Sequence, residues 1–336
     1  GLNRAIVKQG LKILKLGKNL GLKTLFDICN IESRPSIYHL GYVLGPRINA
    51  GGRVGKCSHG ANLLLNKNPK EVFKIASELD NFNKERKLLE NDLTDKILNN
   101  LDNIHNDPVL IVDGENWHEG VIGIVASRLK DKFYKPAIII SKNKKIGKAS
   151  ARSIVGFYIG SIILAAVQEK ILIKGGGHKM AGGFSIDISK IEIFKEFIFK
   201  KFKRINKDLV VKRTLSLDSK IAPSAINIEF YDKVNALSPF GSGNPEPKFL
   251  IEDLKTLNGK IVGNKHVKSL LIGSDGTSFK TIAFNATDND LGAYLLKKNN
   301  NTFNVAGKLS LNEWRGQKNV EFIIDDISVN KNDKNK

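Results

Sequence analysis

Cysteine, methionine, acid and long apolar runs are all scarce in this chain. Two cysteines in 336 residues, Cys29 and Cys57, exclude a disulfide framework and a cysteine zinc cluster, and they fit a reducing cytoplasm. No apolar run approaches the roughly 20 residues that cross a bilayer, and no signal-peptide pattern is present, so no membrane partner is expected. The chain begins at Gly1 and its only methionine is Met180. It is therefore expected to be a fragment or a processed chain. Acid is outnumbered, with 34 Asp and Glu against 54 Lys and Arg, a net charge of +20. A pI near 9.7 points to a polyanion partner. Part of that excess follows from a composition rich in Lys, Asn and Ile. A hydrophobic content of 41% is that of a globular protein, and the length suffices for two or three cores.

Glycine is abundant where it matters most. Lys174-Gly175-Gly176-Gly177-His178-Lys179-Met180-Ala181-Gly182-Gly183 places five glycines around one histidine. Each glycine gives up much chain entropy on ordering, so the run predicts a loop. Its backbone N–H groups can converge on an anion, with His178 and Lys179 as added donors. The plainer reading is a turn ahead of the strand-like Phe184-Ser185-Ile186. Gly45-Pro46-Arg47-Ile48-Asn49-Ala50-Gly51-Gly52-Arg53-Val54-Gly55 is a second expected loop. Its Arg47 and Arg53 offer forks that suit phosphate, or else are solvated in a connector.

Periodicity organises the rest. Residues 1–30 are helical in pattern, and Ser36–Leu44 is mixed. Val72, Ile75, Leu79, Phe82, Leu89, Leu93 and Ile97 form one stripe, so 69–101 predicts a single helix of roughly 50 Å. Asn68 is its expected N-cap, Pro69 its first residue, and Glu71 completes a capping-box pattern. A helix of that length with one apolar face suits a connection between domains. Pro108–Asp113, Val121–Phe133 and Pro136–Ser141 then read as strand, helix and strand, a βαβ unit in a covered sheet. Lys148–Ser153 lies where a strand gives way to a turn, and Phe157–Val167 and Ile191–Phe202 read as helices. After about Asn206, short alternating segments separated by Asn258-Gly259, Asp275-Gly276 and Arg315-Gly316 suggest a small barrel. The polar end, 330–336, reads as a disordered tail.

Several motifs together resemble one family. Gly45–Arg53, Trp117-His118-Glu119-Gly120-Val121-Ile122-Gly123, Ser150-Ala151-Arg152-Ser153 and Gly176–Gly183 are similar, in order, to motifs of the RecJ single-stranded-DNA exonucleases. Residues 109–205 resemble the DHHA1 domain of DHH phosphoesterases. Pro239–Pro247 and Asn312-Glu313-Trp314-Arg315-Gly316 resemble the family's oligonucleotide-binding (OB) barrel. The resemblance implies an α/β DHHA1-type domain with a long interdomain helix, followed by an all-β OB-fold barrel. The expected division is 1–68, end of the DHH region and connector; 69–104, the long helix; 105–207, DHHA1; 208–329, OB; and 330–336, tail. It further implies 5′→3′ hydrolysis of single-stranded DNA in repair and recombination. Mn²⁺ or Mg²⁺ would be held by an N-terminal domain. Single-strand-binding protein and recombination or repair helicases are the implied partners. No Asp-His-His occurs here, so the chain corresponds to the C-terminal portion of such a nuclease and is expected to be inactive alone.

That leaves phosphate and strand contacts to this chain. Asp113, Glu115, His118 and Glu119 are its nearest approach to a metal cluster, and a polar loop explains them better, so no metal ligand is assigned. Ser150 and Arg152, two apart in extended chain, share a face and can grip one phosphate; the resemblance implies a 5′-terminal phosphate or its neighbour. The alternative is a salt-bridged arginine and a capping serine. His178 is the candidate catalytic donor, or else a structural histidine. Gly176 and Gly177 supply close backbone, and His118 with the first N–H groups of its helix is an anion site. Trp117 stacks a base or fills core. In the barrel, Lys265, Lys268 and Trp314 are candidate strand contacts, with His266 and Phe284 nearby; both aromatics could be core instead. Pro239–Pro247 reads as a structural connector. A non-catalytic single-strand-binding module is the alternative from another class, and a small-nucleotide phosphatase is disfavoured by the barrel.

Overall fold

The computed structural model describes residues 1–31, 35–100, 106–205, 214–296, 302–314 and 316–329. The Trp314 side chain and the 330–336 tail lie outside the described residues. The chain forms two compact units, one starting at Gln9, the other starting at Thr214 and including Gly1–Lys8.

The first unit opens with helices. After α1 (Leu2–Lys15) come α2 (Leu20–Ile28), α3 (Gly45–Val54), α4 (His59–Leu65) and α5 (Pro69–Asn99). Leu25, Phe26, Leu44, Leu63, Val72, Ala76 and Leu79 form their core. The stretch expected as a loop at 45–55 is thus helix α3. Pro46 sits in its first turn, where a missing N–H costs nothing, and Gly51 is buried where a Cβ would meet Leu79. Gly45, Gly51 and Gly55 serve close packing rather than a turn. Asn68 caps α5 by accepting from the Lys70 and Glu71 N–H groups. The reciprocal half of the capping box is absent: Glu71 accepts from Asn66, and Asn66 also takes the Asn68 N–H. Helix α5 joins two cores of this unit, since Leu93 and Ile97 pack with the α/β layer.

That layer contains β1 (Leu110–Glu115), α6 (Glu119–Phe133), β2 (Ala137–Asn143), β3 (Ile146–Arg152), α7 (Ile159–Gln168), β4 (Lys174–Gly177), β5 (Ala181–Asp187) and α8 (Ile191–Ile205). The sheet order is β1-β2-β3-β5-β4. β1 and β2 are parallel, as a βαβ unit requires, and the remaining pairs are antiparallel. One face, with Ile138, Ile140, Ala151, Phe184 and Ile186, is sealed by α7 and α8. On the other face α6 and the end of α5 cover β1 and β2, through Leu110, Ala137 and Ile139, and α6 also lies against β3, leaving β5 and β4 open.

The glycine run expected as a loop is a β-hairpin, β4–β5. Added Cβ atoms at Gly175 and Gly182 would lie 2.7 and 2.5 Å from the Ile163 methyls of α7. The sealing helix approaches too closely for side chains, so glycine is required on this face despite its weak strand propensity.

In the second unit, β7 (Phe249–Val262), β8 (His266–Ile272), β9 (Ser278–Ala283), β11 (Gln317–Val329) and β10 (Phe303–Trp314) close into a ring through β10–β7 pairing. β6 (Ser219–Lys220) adds beside β7. Phe249, Ile251, Leu254, Val267, Leu271, Phe303 and Phe322 fill it. The two segments expected at 248–254 and 259–262 are one strand. The register shifts at Leu257, just before Asn258-Gly259, and the carbonyl of Leu295, from α10 (Asp290–Leu296), lies against Gly259. Among the described residues no helix is long and apolar enough to cross a membrane.

Candidate nucleic-acid interface

Cross-strand register assembles the site of the first unit. Strand alternation puts Lys148, Ser150 and Arg152 of β3 on the face opposite the α7 core. Their β5 partners are Ser185, Gly183 and Ala181. Ser185 and Gly183 pair onward with Lys174 and Gly176 of β4, and the His178 N–H bonds the Ala181 carbonyl at 2.7 Å. Three rows result: Lys148–Ser185–Lys174, Ser150–Gly183–Gly176 and Arg152–Ala181–His178. Arg152 and His178 are thus two strands apart, about 10 Å across the sheet. The middle row is almost without side chains. A Cβ on Gly176 would meet nothing within 4 Å, and one on Gly183 only the Ala149 carbonyl. Because α6 reaches no further than β3, an open cleft of about 540 Å³ lies here, lined by Glu119, Lys148, Ser150, Lys174, Gly183 and Ser185.

Lys148 of this cleft is paired with Glu119 at 2.8 Å, but two arginines beside it lack acids. Arg152 donates to the Ser150 hydroxyl at 3.1 Å and to the Ala151 carbonyl. Helix α6 reaches this pair at Gly123, where a Cβ would lie 2.9 Å from Ser150 Oγ and 3.0 Å from Arg152 Nη2. Burial pushes the Arg152 guanidinium down from its ordinary value, and the charge of Arg53 adds to that. Arg53 donates to the Gly120 carbonyl at 3.1 Å. Among the described residues neither arginine has a carboxylate partner. Two neighbouring guanidiniums without an acid make a place for an anion.

Other expected residues sit differently. Arg47 is held by Asp80 at 2.8 Å and by the Val43 carbonyl, with the Arg47 and Asp80 side chains 16% and 10% exposed. Burial alone would raise the Asp80 carboxyl, but bonds from Lys84 and Arg47 outweigh it and hold it below the usual range. Arg47 therefore fastens α3 to α5. His118 caps α6 by accepting the Gly120 N–H at Nδ1, so the first turn is partly satisfied from within. His178 is exposed, and among the described residues its ring has no hydrogen bond. Trp117 packs on Gly114 and the α6 core. Asp113 and Glu115 are paired to Lys142, whose ammonium the Asp113 bond holds above its ordinary range, and Glu119 pairs with Lys148. Among the described residues no cluster of three His, Cys, Asp or Glu is placed to take a metal ion. The acids present here do not fit one.

In the barrel, a groove of about 530 Å³ runs over the outer faces of β7, β8 and β9 to the ends of β10 and β11. Lys260, Lys268 and Lys280 line it. This is the face on which OB barrels take oligonucleotides. Lys265 is at the β7–β8 turn, accepting the Ala286 N–H at its carbonyl. Phe284 is 53% exposed and meets His266 edge-on at 5.1 Å, so it is not core. Lys148 and Lys174 were missed in the sequence because their alignment depends on register; the i, i+2 spacing of Lys148, Ser150 and Arg152 was the available signal. Lys260 and Lys280 were hidden among many lysines.

Known proteins carry the same two parts. A DHHA1 domain model matches residues 106–204, and a RecJ OB domain model matches residues 217–326. "Single-stranded-DNA-specific exonuclease RecJ" of Bacillus subtilis (strain 168) is 31% identical over 342 residues, covering 97% of this chain and 42% of that protein. Its namesake of Salmonella typhimurium is 31% identical, over 97% of this chain and 57% of that protein. A crystal structure of RecJ in complex with Mn²⁺ from Thermus thermophilus superposes with a TM-score of 0.82 at 26% identity, over 98% of this chain and 47% of that one. The chain is thus a DHHA1–OB protein, spanning about half the length of these relatives. Over nearly its whole length it is similar to the C-terminal part of RecJ proteins, and it carries the RecJ OB domain.

Proposed function

We infer that this chain is the phosphate-gripping and strand-binding portion of a single-stranded-DNA-specific 5′→3′ exonuclease acting in DNA repair and recombination in the cytoplasm. The carrying observation is the acid-free pair Arg53 and Arg152 beside the glycine floor of Gly176 and Gly183. A phosphate can approach that floor closely, with Ser150 and Arg152 on one side and His178 on the other. Here His178 is the donor to a phosphate oxygen near the scissile bond. Phosphodiester cleavage with two metals needs clustered carboxylates. In this reading Mn²⁺ or Mg²⁺ is held by a DHH domain in the half of the relatives that the chain does not span. The division at residues 68, 104 and 207, with a strand-binding barrel from 208, is part of the same reading. So are single-strand-binding protein and helicase partners. A non-catalytic binding module is the second reading, favoured by the acids being engaged in ion pairs. Release of nucleotides from labelled single strands with Mn²⁺, by the chain alone and joined to the upstream half of a relative, separates them. Activity restored by joining supports the exonuclease portion; none in either form supports the module.

Binding itself should be strongly salt-dependent, given the net charge of +20. Log affinity for single-stranded DNA is expected to fall linearly with log salt, by about 0.7 per phosphate contact. Anisotropy titrations at several salt concentrations measure it, and a flat line would refute phosphate-led binding.

A further inference from the structure

One acid stands in the barrel's basic groove, and phosphate binding does not explain it. Glu321 of β11 is only 8% exposed. Its Oε1 accepts from Asn312 Nδ2 at 3.1 Å and lies 3.5 Å from Lys268 Nζ. Its Oε2 has no protein donor among the described residues, yet it is not sealed off from the cavity that Glu321 lines. A largely buried carboxylate oxygen needs a donor, and the cavity is where one would come from. A nucleic-acid phosphate cannot serve, because it brings only acceptors and like charge. A base edge can. Around Glu321 the same groove presents the carboxamides of Asn258, Asn312, Gln317 and Asn319, with lysines along its length. Carboxamides and a carboxylate are the groups that read base edges, and lysines track phosphates.

We propose that this groove is a base-reading subsite in which Glu321 Oε2 accepts a hydrogen bond from the exocyclic amine of an unpaired base. The proposal rests on the strand-binding reading above and adds a base preference to it. Cytosine and adenine offer an amine on the Watson–Crick edge. Thymine offers only N3–H, set between two carbonyl oxygens that would face the carboxylate. Bases with an exocyclic amine are therefore held more tightly than thymine. Oligocytidine and oligothymidine make the cleanest comparison, since both are pyrimidines of similar size.

The test is the affinity of the whole chain, by anisotropy, for dC and dT oligomers about 12 nucleotides long, within the site size of one barrel. The expected result is dC bound about five- to tenfold more tightly than dT. Glu321→Gln should bind dT more tightly, having lost a negative charge, and should erase the dC preference. Its side chain keeps the volume and the Asn312 contact, and its melting temperature is checked beside the wild type. Equal wild-type affinities, or an undiminished preference in Glu321→Gln, would overturn base reading while leaving strand binding intact. No binding of either oligomer by a folded chain at low salt would overturn the strand-binding reading as well. The wild-type comparison stands even if the variant fails to fold.

Discussion

Alanine at Gly177 is expected to lower the melting temperature by about 5–10 °C, while alanine at Gly176 leaves it almost unchanged. Both glycines lie in β4 with ordinary backbone angles, so neither substitution is strained by φ. What differs is the space around them. A Cβ at Gly177 would press on the Ala181 carbonyl and come within 2.5 Å of the Gly182 Cα. These are backbone atoms of the paired strand and cannot swing away. Nor can β4 retreat, because Gly160 of α7 is packed against the His178 carbonyl and the Gly177 backbone. Overpacking of this kind costs about 1–3 kcal/mol. At Gly176 the added methyl meets nothing within 4 Å. It also reduces the freedom of the unfolded chain, which offsets any small cost. The methyl would, however, stand beside Gly183 in the row that starts at Ser150, at the β4 edge of the cleft. Gly176→Ala should therefore bind single strands severalfold more weakly with its fold intact. Calorimetry and anisotropy on the two variants measure both effects. Equal melting would mean that the hairpin relaxes, and undiminished binding by Gly176→Ala would mean that phosphates do not reach this backbone.

The same pair shows where the sequence was legible. Composition identifies glycine but not its reason. At 45–55 and 174–183 the many glycines suggest loops, whereas the structure has a helix and a hairpin whose neighbours come too close for a Cβ. Asn258-Gly259 reads as a turn for the same reason, and it is paired strand just after a bulge at Leu257, with Gly259 against Leu295. Such demands come from residues far along the chain. By contrast, α5, with Asn68 and Pro69 at its start, and the β1–α6–β2 unit follow from local signals that the tertiary structure agrees with. The site divides likewise. Ser150 and Arg152 share a face by strand alternation, and they are hydrogen-bonded. Their row partners Gly183, Gly176 and His178 depend on the β3–β5–β4 register. Arg47 looked like Arg53 in the sequence; only the placement of Asp80 on α5 separates them.

The chain should bind a 5′-phosphorylated single strand about ten- to a hundredfold more tightly than the same strand without that phosphate, and Arg152→Lys should remove most of the difference. An exonuclease acting from an end must recognise that end, and a terminal phosphate carries more charge and more free oxygens than an internal one. Arg152 is suited to it. Half-buried, already bonded to Ser150, and carrying a guanidinium that burial and Arg53 both disfavour, it gains when an anion arrives. The planar fork can engage two oxygens at once, while lysine offers a point charge on a flexible stem. The variant keeps the net charge, so the salt slope on unphosphorylated strands should stay the same. Barrel contacts at Lys260, Lys268 and Lys280 are untouched, so affinity for long unphosphorylated strands should hardly move. Ser150→Ala is a milder companion: it removes one tether of the fork and should reduce the preference only partly. The measurement is a set of dissociation constants for paired oligonucleotides differing only in the 5′ phosphate, with thermal melts of each variant. If Arg152→Lys loses affinity equally for both, the residue serves the whole strand or the fold, and recognition of the end must be sought elsewhere on the cleft.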